Sequence, residues 1–398
     1  MAPILHRAAL AACIAFFAAS PASAQVQAGP GAWSERQTWA ADTTYGDTLT
    51  GYFYWPATAT RLGGKRALVL VLHGCGQSAA GDVIDGAADA GFNWKAAADR
   101  YGAVILAPNA TGNLYGAHCW DWAAADRSRN VGHSAVLLDL VGRFIADPRY
   151  AIDPRQIYVA GLSSGGAKTM VLGCQAPELF AGVGINAGPP PGVSTSQIGW
   201  VPPGFSATRA ADNCRAMAGP NASHFSSQLT SVVWGTSDFL VAQAYGPLDA
   251  AAMRQVYGGA FTRGATMNLP NGGSNVPHFD ANGKLRTSEV TVSGMGHAWP
   301  AGAGGQNGNF VDAARVNYPA FLMDFWFTNN LRVAPAACFA CAAATATNAA
   351  HVQAGRAYAS GRYAFATGSH LILGLNDAFH TSTLAQIAAG YHIVGNCP

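Results

Sequence analysis

From residue 67 onward the chain repeats one pattern: a short aliphatic run, a stop at Gly, Pro or Asn, then a helix-compatible stretch. The runs are 67–72 (ALVLVL), 103–107 (AVILA), 156–160 (QIYVA), 182–186 (GVGIN), 231–234 (SVVW) and 289–292 (EVTV). Most are unbroken apolar blocks rather than alternating ones, as expected of strands covered by helices on both faces. Residues 92–100 and 134–145 read as helices, the second with Val136, Leu140 and Phe144 at four-residue intervals along one side. Pro319 in a first turn, with Asn317 as cap, opens another helix through 320–327. The pattern therefore predicts an α/β fold, a doubly wound and mostly parallel sheet of roughly 310 residues, near the upper limit for one core.

The rhythm stops at Leu331. Residues 333–345 are Ala-rich with Pro335 and two cysteines, which reads as a linker between a catalytic domain at 25–332 and a small module at 346–398. Counted from Cys338, the tail carries only Arg356, Arg362 and Asp377 as charges and is too short to be very stable without staples. Its large apolar residues, Phe339, Tyr358, Tyr363, Phe365, Leu371, Ile372, Leu373 and Phe379, read for the most part as its own core.

At the other end, Arg7 precedes an apolar run over 8–19 that is too short to span about 30 Å of hydrocarbon, and Ala22-Ser23-Ala24 offers a small-residue cleavage site. This predicts a signal peptide at 1–24, export, and a soluble extracellular protein with no membrane anchor. Seven cysteines then meet an oxidising compartment, so up to three bridges are expected with one thiol left over. Either Cys338 or Cys341 pairs with Cys397, and a zinc site built on their Cys-X-X-Cys spacing lacks a fourth ligand.

Composition narrows the partners. Lys and Arg total 23 against 21 Asp and Glu, a formal charge of +2, so nothing in the balance serves a nucleic acid or an anionic membrane. Only 11% of residues are charged, which suits work on uncharged material.

Candidate chemistry begins at Gly161-Leu162-Ser163-Ser164-Gly165-Gly166, which follows a strand and precedes a helix. That context makes Ser163 a nucleophile on a sharp turn rather than a simple helix cap. A serine needs a base oriented by a carboxylate, and on such folds the order is Ser, Asp, His. Asp238, just past the run at 231–234, and His297, in Gly294-Met295-Gly296-His297-Ala298-Trp299-Pro300, fill those places; Asp212 and Asp249 are the substitute carboxylates. The oxyanion is expected between the amides of Ser164 and Cys75, in His73-Gly74-Cys75-Gly76-Gln77. The His73 imidazole is either a competing donor or a group that shapes the loop. A Cys75–Cys119 bridge would tie that loop to Trp120 and Trp122, which with Trp299 are candidate walls beside Ser163; Cys174–Cys214 is the natural remaining pair.

Together these motifs, and the Cys119-Trp120-Asp121-Trp122 segment, resemble the extracellular poly(3-hydroxybutyrate) depolymerases over about 68–331. The tail segments Ala346-Thr347-Asn348, 351–357, Gly368-Ser369, Leu373-Gly374-Leu375 and Cys397-Pro398 look like that family's polymer-binding module. The resemblance implies an α/β-hydrolase fold, the triad Ser163, Asp238 and His297, and His351 with Arg356 at positions that help the module adsorb. It implies hydrolysis of an insoluble polyester through an acyl-enzyme by a monomer, with no metal or organic cofactor. It also marks a departure, since many relatives carry a longer spacer where only 333–337 is available here. The rival readings are a feruloyl or acetyl-xylan esterase, a poly(aspartic acid) hydrolase, or a surface-adhesion protein whose catalytic frame is vestigial.

Overall fold

The computed structural model describes residues 26–84, 91–333, 341–369, 371–388 and 391–397. The signal segment, Cys338 and Phe339 lie outside them.

Twelve strands form the main sheet: β1 (Ala32–Trp33), β2 (Gln37–Asp42), β3 (Asp47–Trp55), β4 (Arg66–Leu72), β5 (Val104–Pro108), β6 (Ile152–Leu162), β7 (Gly182–Asn186), β8 (Leu229–Gly235), β9 (Phe261–Arg263), β10 (Met267–Leu269), β11 (Gly273–Asp280) and β12 (Leu285–Val292). Their order is β1-β3-β5-β4-β6-β7-β8-β12-β11-β10, with β2 on β3 and β9 on β11. The centre from β5 to β12 is parallel and both margins are antiparallel. Strands β4, β5 and β7 are buried along their whole length, the physical meaning of their unbroken apolar runs. Alternate residues serve opposite faces: Val69 and Val71 join Leu322 and Trp326, whereas Leu68 and Leu70 join Leu137 and Leu140.

Six helices cover this sheet: α1 (Trp94–Tyr101), α2 (Gly132–Ala146), α3 (Ser164–Gln175), α4 (Ala207–Ala218), α5 (Tyr245–Tyr257) and α6 (Tyr318–Asn329). Asn317 caps α6 as the sequence predicts, accepting from the Ala320 amide at 3.0 Å. The margins β1–β3 and β9–β11 are not among the predicted strands: β1, β2 and β9 are short, and β3 and β11, nine and eight residues long, interrupt their buried positions with half-buried or exposed ones, so none gives a continuous apolar signal. A short ribbon, β13 (Trp299–Pro300) with β14 (Val311–Asp312), follows β12.

The tail forms two small sheets around α7 (Asn348–Gln353). One holds β15 (Ala342–Thr347), β19 (Thr381–Ala388) and β20 (Tyr391–Val394); the other holds β16 (Ala357–Ser360), β17 (Tyr363–Ala366) and β18 (Ile372–Leu375). The first strand thus starts inside the stretch read as linker. Cys341–Cys397 closes the module, and Cys75–Cys119 and Cys174–Cys214 are also bridged. One expectation fails here. The module core is Ala357, Ala366 and Leu384 with Val352 and Leu373 against it, while Tyr363, Leu371, Ile372 and Phe379 are exposed. Two thin sheets leave room between them for methyl groups, so the larger side chains are turned outward.

Candidate active site

Five neighbouring parallel strands, β4, β6, β7, β8 and β12, carry the site. Chain separation between β6, β8 and β12 is long, but adjacent strands lie only about 4.8 Å apart, so loops at one sheet edge converge. Ser163 follows β6 and opens α3 with φ +57° and ψ −118°. That conformation is unfavourable for a residue with a side chain and persists only where its surroundings hold it. Its neighbours are glycines for a reason of space: a Cβ on Gly161 would lie 2.6 Å from Gly165 backbone, and one on Gly165 would lie 2.4 Å from the Leu72 carbonyl oxygen. The Ser163 amide donates to the Asn186 carbonyl at 2.8 Å, and Asn186 Nδ2 donates to the Ala298 carbonyl at 2.9 Å. Asn186, which sequence reading did not single out, thus joins the serine turn to the histidine loop.

His297 Nδ1 donates to Asp238 Oδ2 at 2.8 Å, across 59 residues of chain. The loops that carry them are stitched by Ser237 N–H to the Met295 carbonyl at 2.9 Å and Gly294 N–H to Thr236 Oγ1 at 2.8 Å. Asp238 uses its other oxygen locally, accepting from the Leu240 and Val241 amides at 2.9 Å each. The carboxylate is therefore fixed from both sides. Among the described residues no hydrogen bond joins Ser163 Oγ to His297; such contacts commonly tighten only when substrate is bound. The two other carboxylates stand apart: Asp212 pairs with Arg215, and Asp249 is wholly buried on α5, its carboxyl pushed well above the usual range by burial.

The loop after β4 lies directly beside the serine, since a Cβ built on Gly74 would be 3.3 Å from Ser163 Cβ. Gln77 Oε1 accepts from the Gly74 amide at 2.7 Å, and Gln77 Nε2 reaches the Asn309 carbonyl. His73 is fully buried, its pKa pushed down to about 4 by burial, so the neutral imidazole donates from Nδ1 to the Gly74 carbonyl at 2.7 Å and accepts the Ala110 amide at Nε2. Of its two readings, the loop-shaping one describes this geometry. A trans peptide directs its C=O and N–H oppositely, so holding the Gly74 oxygen also orients the Cys75 amide. The Ser164 amide opens α3, where first-turn N–H groups lack intrahelical acceptors and the helix dipole is positive.

Behind the oxyanion loop is a buried polar cluster. Lys168 Nζ lies 2.6 Å from Asp121 Oδ1 and donates to Ser134 Oγ at 2.6 Å; Asp121 Oδ2 accepts from the His133 amide and the Tyr45 hydroxyl at 3.0 Å each. Burial alone would raise the Asp121 carboxyl, but Lys168 and His133 outweigh it and hold the group ionised, far below the usual carboxylate range. This cluster locks Asp121, between the two tryptophans, to the helix that begins at Ser164.

The tryptophans are not walls of an open cleft. Trp120, Trp122 and Trp299 are all buried: Trp120 Nε1 donates to the His73 carbonyl at 2.9 Å, and Trp299 stacks on Phe92 at 4.7 Å and donates to its carbonyl. Large rings at strand ends gain more from burial than from exposure and here serve as scaffold. His351 is likewise buried, donating from Nε2 to the Ser382 carbonyl at 2.8 Å and accepting at Nδ1 from Nε of the half-buried Arg356. The exposed apolar groups lie elsewhere. Phe239 is 89% exposed next to Asp238, Leu240 and Trp200 are about half exposed, and the Phe310 ring stands edge-on to His297 at 5.7 Å. In the sequence these are single aromatic residues in loops, indistinguishable from core.

The chain is similar to several known proteins. A family model described as esterase PHB depolymerase matches residues 50–256. A poly(3-hydroxybutyrate) depolymerase of Ralstonia pickettii is 54% identical with 98% of each chain covered. A poly(3-hydroxyalkanoate) depolymerase C of Paucimonas lemoignei is 28% identical over 60% of this chain and 56% of its own. Among solved structures, an acetyl xylan esterase from Aspergillus awamori matches 66% of this chain and 94% of its own at 18% identity, with a TM-score of 0.49. With a family model across just over half its length and a relative aligned almost end to end at that identity, this chain belongs to the PHB depolymerase esterases, serine carboxylic-ester hydrolases of the α/β class.

Proposed function

We propose that this chain is a secreted depolymerase that hydrolyses poly(3-hydroxybutyrate) through an acyl-enzyme, with Ser163 as nucleophile, His297 as general base and acid, and Asp238 as the group that orients it. The observation that carries the reading is the strained Ser163 turn set on the same sheet edge as the His297–Asp238 hydrogen bond of 2.8 Å. His297 takes the Ser163 proton as Oγ attacks the ester carbonyl, then returns it to the leaving alcohol; water repeats the sequence and releases the 3-hydroxyacyl group. The amides of Cys75 and Ser164 stabilise the tetrahedral oxyanion, a donor of this kind being worth about 10²–10³ in rate. The near-end-to-end identity to the Ralstonia pickettii depolymerase supports the polymer substrate, and three disulfides suit an oxidising, extracellular setting.

In this reading residues 25–332 are the catalytic unit and the tail is an adsorption module that raises local concentration at an insoluble surface. The exposed rim of Phe239, Leu240, Trp200 and Phe310 supplies apolar contact for an uncharged chain entering the cleft. The test is clearing of a poly(3-hydroxybutyrate) suspension. Wild type clears it and Ser163→Ala, shown to be folded, does not; clearing by that variant would overturn the nucleophile, and feruloyl-ester turnover without any clearing would overturn the substrate.

A further inference from the structure

The outward face of the β16–β17–β18 sheet is divided in use. Register pairs Tyr358 with Phe365 and Ser360 with Tyr363, so these four side chains share one face while Ala357, Ala364 and Ala366 point into the module. At one end of that face the Tyr358 and Phe365 rings stack at 5.6 Å, and Tyr358 meets the catalytic domain: the Arg100 guanidinium carbon lies 5.5 Å from its centroid. Arg100 also lies 5.5 Å from the centroid of the neighbouring Tyr101 ring, and its Nη2 is 3.9 Å from Asp324 Oδ1 of α6. Burial at this junction pushes the Tyr358 hydroxyl up to about 12. At the other end of the face Tyr363, paired with Leu375, remains about half exposed.

We infer that Arg100, in contact with the rings of both Tyr101 and Tyr358, docks the C-terminal module on the α1–α6 flank, so that module and catalytic domain move as one body instead of as two joined by a free tether. A planar guanidinium suits the role, because it stacks on rings while its edge stays available to a carboxylate. The tether is short enough to permit it: residues 334–340 separate Val333 from Cys341, a reach of at most roughly 28 Å when fully extended. The contact also has a definite bearing on the cleft. Arg100 closes α1 just before β5 begins, and β5 is parallel to β4 and β6, so docking occurs toward the strand-start end of the sheet, opposite the edge that carries Ser163. The exposed Tyr363 end of the same face is thereby given a fixed direction relative to the cleft. The inference rests on an intramolecular contact and stands apart from the identity of the substrate.

The test is hydrogen exchange with small-angle scattering on the full chain. Tyr358→Ala and Arg100→Ala are expected to accelerate exchange in the last turn of α1 and in β16 by roughly 2- to 30-fold, the range of a cation–π contact, and to lengthen the maximum particle dimension. Arg100→Lys falls between, and Tyr363→Ala, at the far end of the face, changes neither quantity. Soluble-ester kcat/KM is unchanged in all four. Arg100→Ala guards against a module that merely unfolds, because it leaves the module sequence intact. A wild-type scattering profile fitted only by two independently moving bodies, or unchanged exchange in both alanine variants, overturns the inference.

Discussion

The two sides of the cleft are built in opposite ways. On the β4 side, the loop at 73–77 is stapled by Cys75–Cys119, backed by buried Trp120 and Trp122, and anchored by the Asp121–Lys168 pair. On the β8 side, the segment from Asp238 to Val241 is turned by the carboxylate of Asp238 itself and projects Phe239 and Leu240 into solvent. In the proposed mechanism the first side holds amide donors within a fraction of an ångström of a developing charge, which calls for rigidity and exclusion of water. The second, in the same proposal, meets an uncharged polymer of irregular surface, for which exposed apolar contact suffices. Asp238 belongs to both, since one oxygen orients His297 and the other forms the turn that presents Phe239.

The sharpest break of this comparison comes from the shared chemistry. Ser163→Ala is expected to lower soluble-ester kcat by at least about 10⁴, measured with a short acyl ester, with retained fold by circular dichroism. Next, Asp121→Ala leaves Lys168 buried without its counter-charge and is expected to cost about 3–5 kcal/mol in denaturant unfolding. The isosteric Asp121→Asn retains shape but not charge; if it unfolded like wild type, the buried pair would not be what anchors the rigid side.

A smaller effect follows from His73. Its folded pKa is depressed to about 4 from an ordinary 6.5, so between these values the unfolded chain binds a proton that the folded one refuses. Stability attributable to His73 is present above about pH 6.5 and is lost as pH falls to about 4, by an amount of about 3 kcal/mol. Chemical denaturation across that window in His73→Gln is expected to show a correspondingly flatter slope than wild type. The smallest change falls on the exposed side. Phe239→Ser is expected to leave soluble-ester kcat/KM within about twofold and stability within about 0.5 kcal/mol, while polymer clearing falls several-fold. Equal losses on both substrates would mean that the turn, not the rim, had been disturbed.

Much of this arrangement was legible beforehand. The parallel centre announced itself through unbroken aliphatic runs, and the serine turn through Gly161 and Gly165, where each omitted side chain matches a backbone approach of under 3 Å. Asp238 and His297 were legible because each follows a strand. The antiparallel margins were not, for their strands are either short or broken by half-buried and exposed positions. The tryptophans and His351 misled in the same direction: their chemistry suits a binding surface, yet indole and imidazole edges found buried carbonyl partners at His73, Phe92 and Ser382. The tail misled the opposite way, since Tyr363, Leu371, Ile372 and Phe379 are outward and its core is Ala357, Ala366 and Leu384 with Val352 and Leu373.

The sequence by itself determined what is local and periodic: which segments become buried strands and where a serine is forced into a left-handed turn. Only the tertiary structure decided which aromatic groups face solvent, that His73 stays neutral, and that Arg100 meets Tyr358 across more than 250 residues of chain. The physical reason is that exposure and burial-driven pKa shifts depend on what other elements cover a side chain, and that information resides in packing between distant segments rather than in the spacing along any one of them.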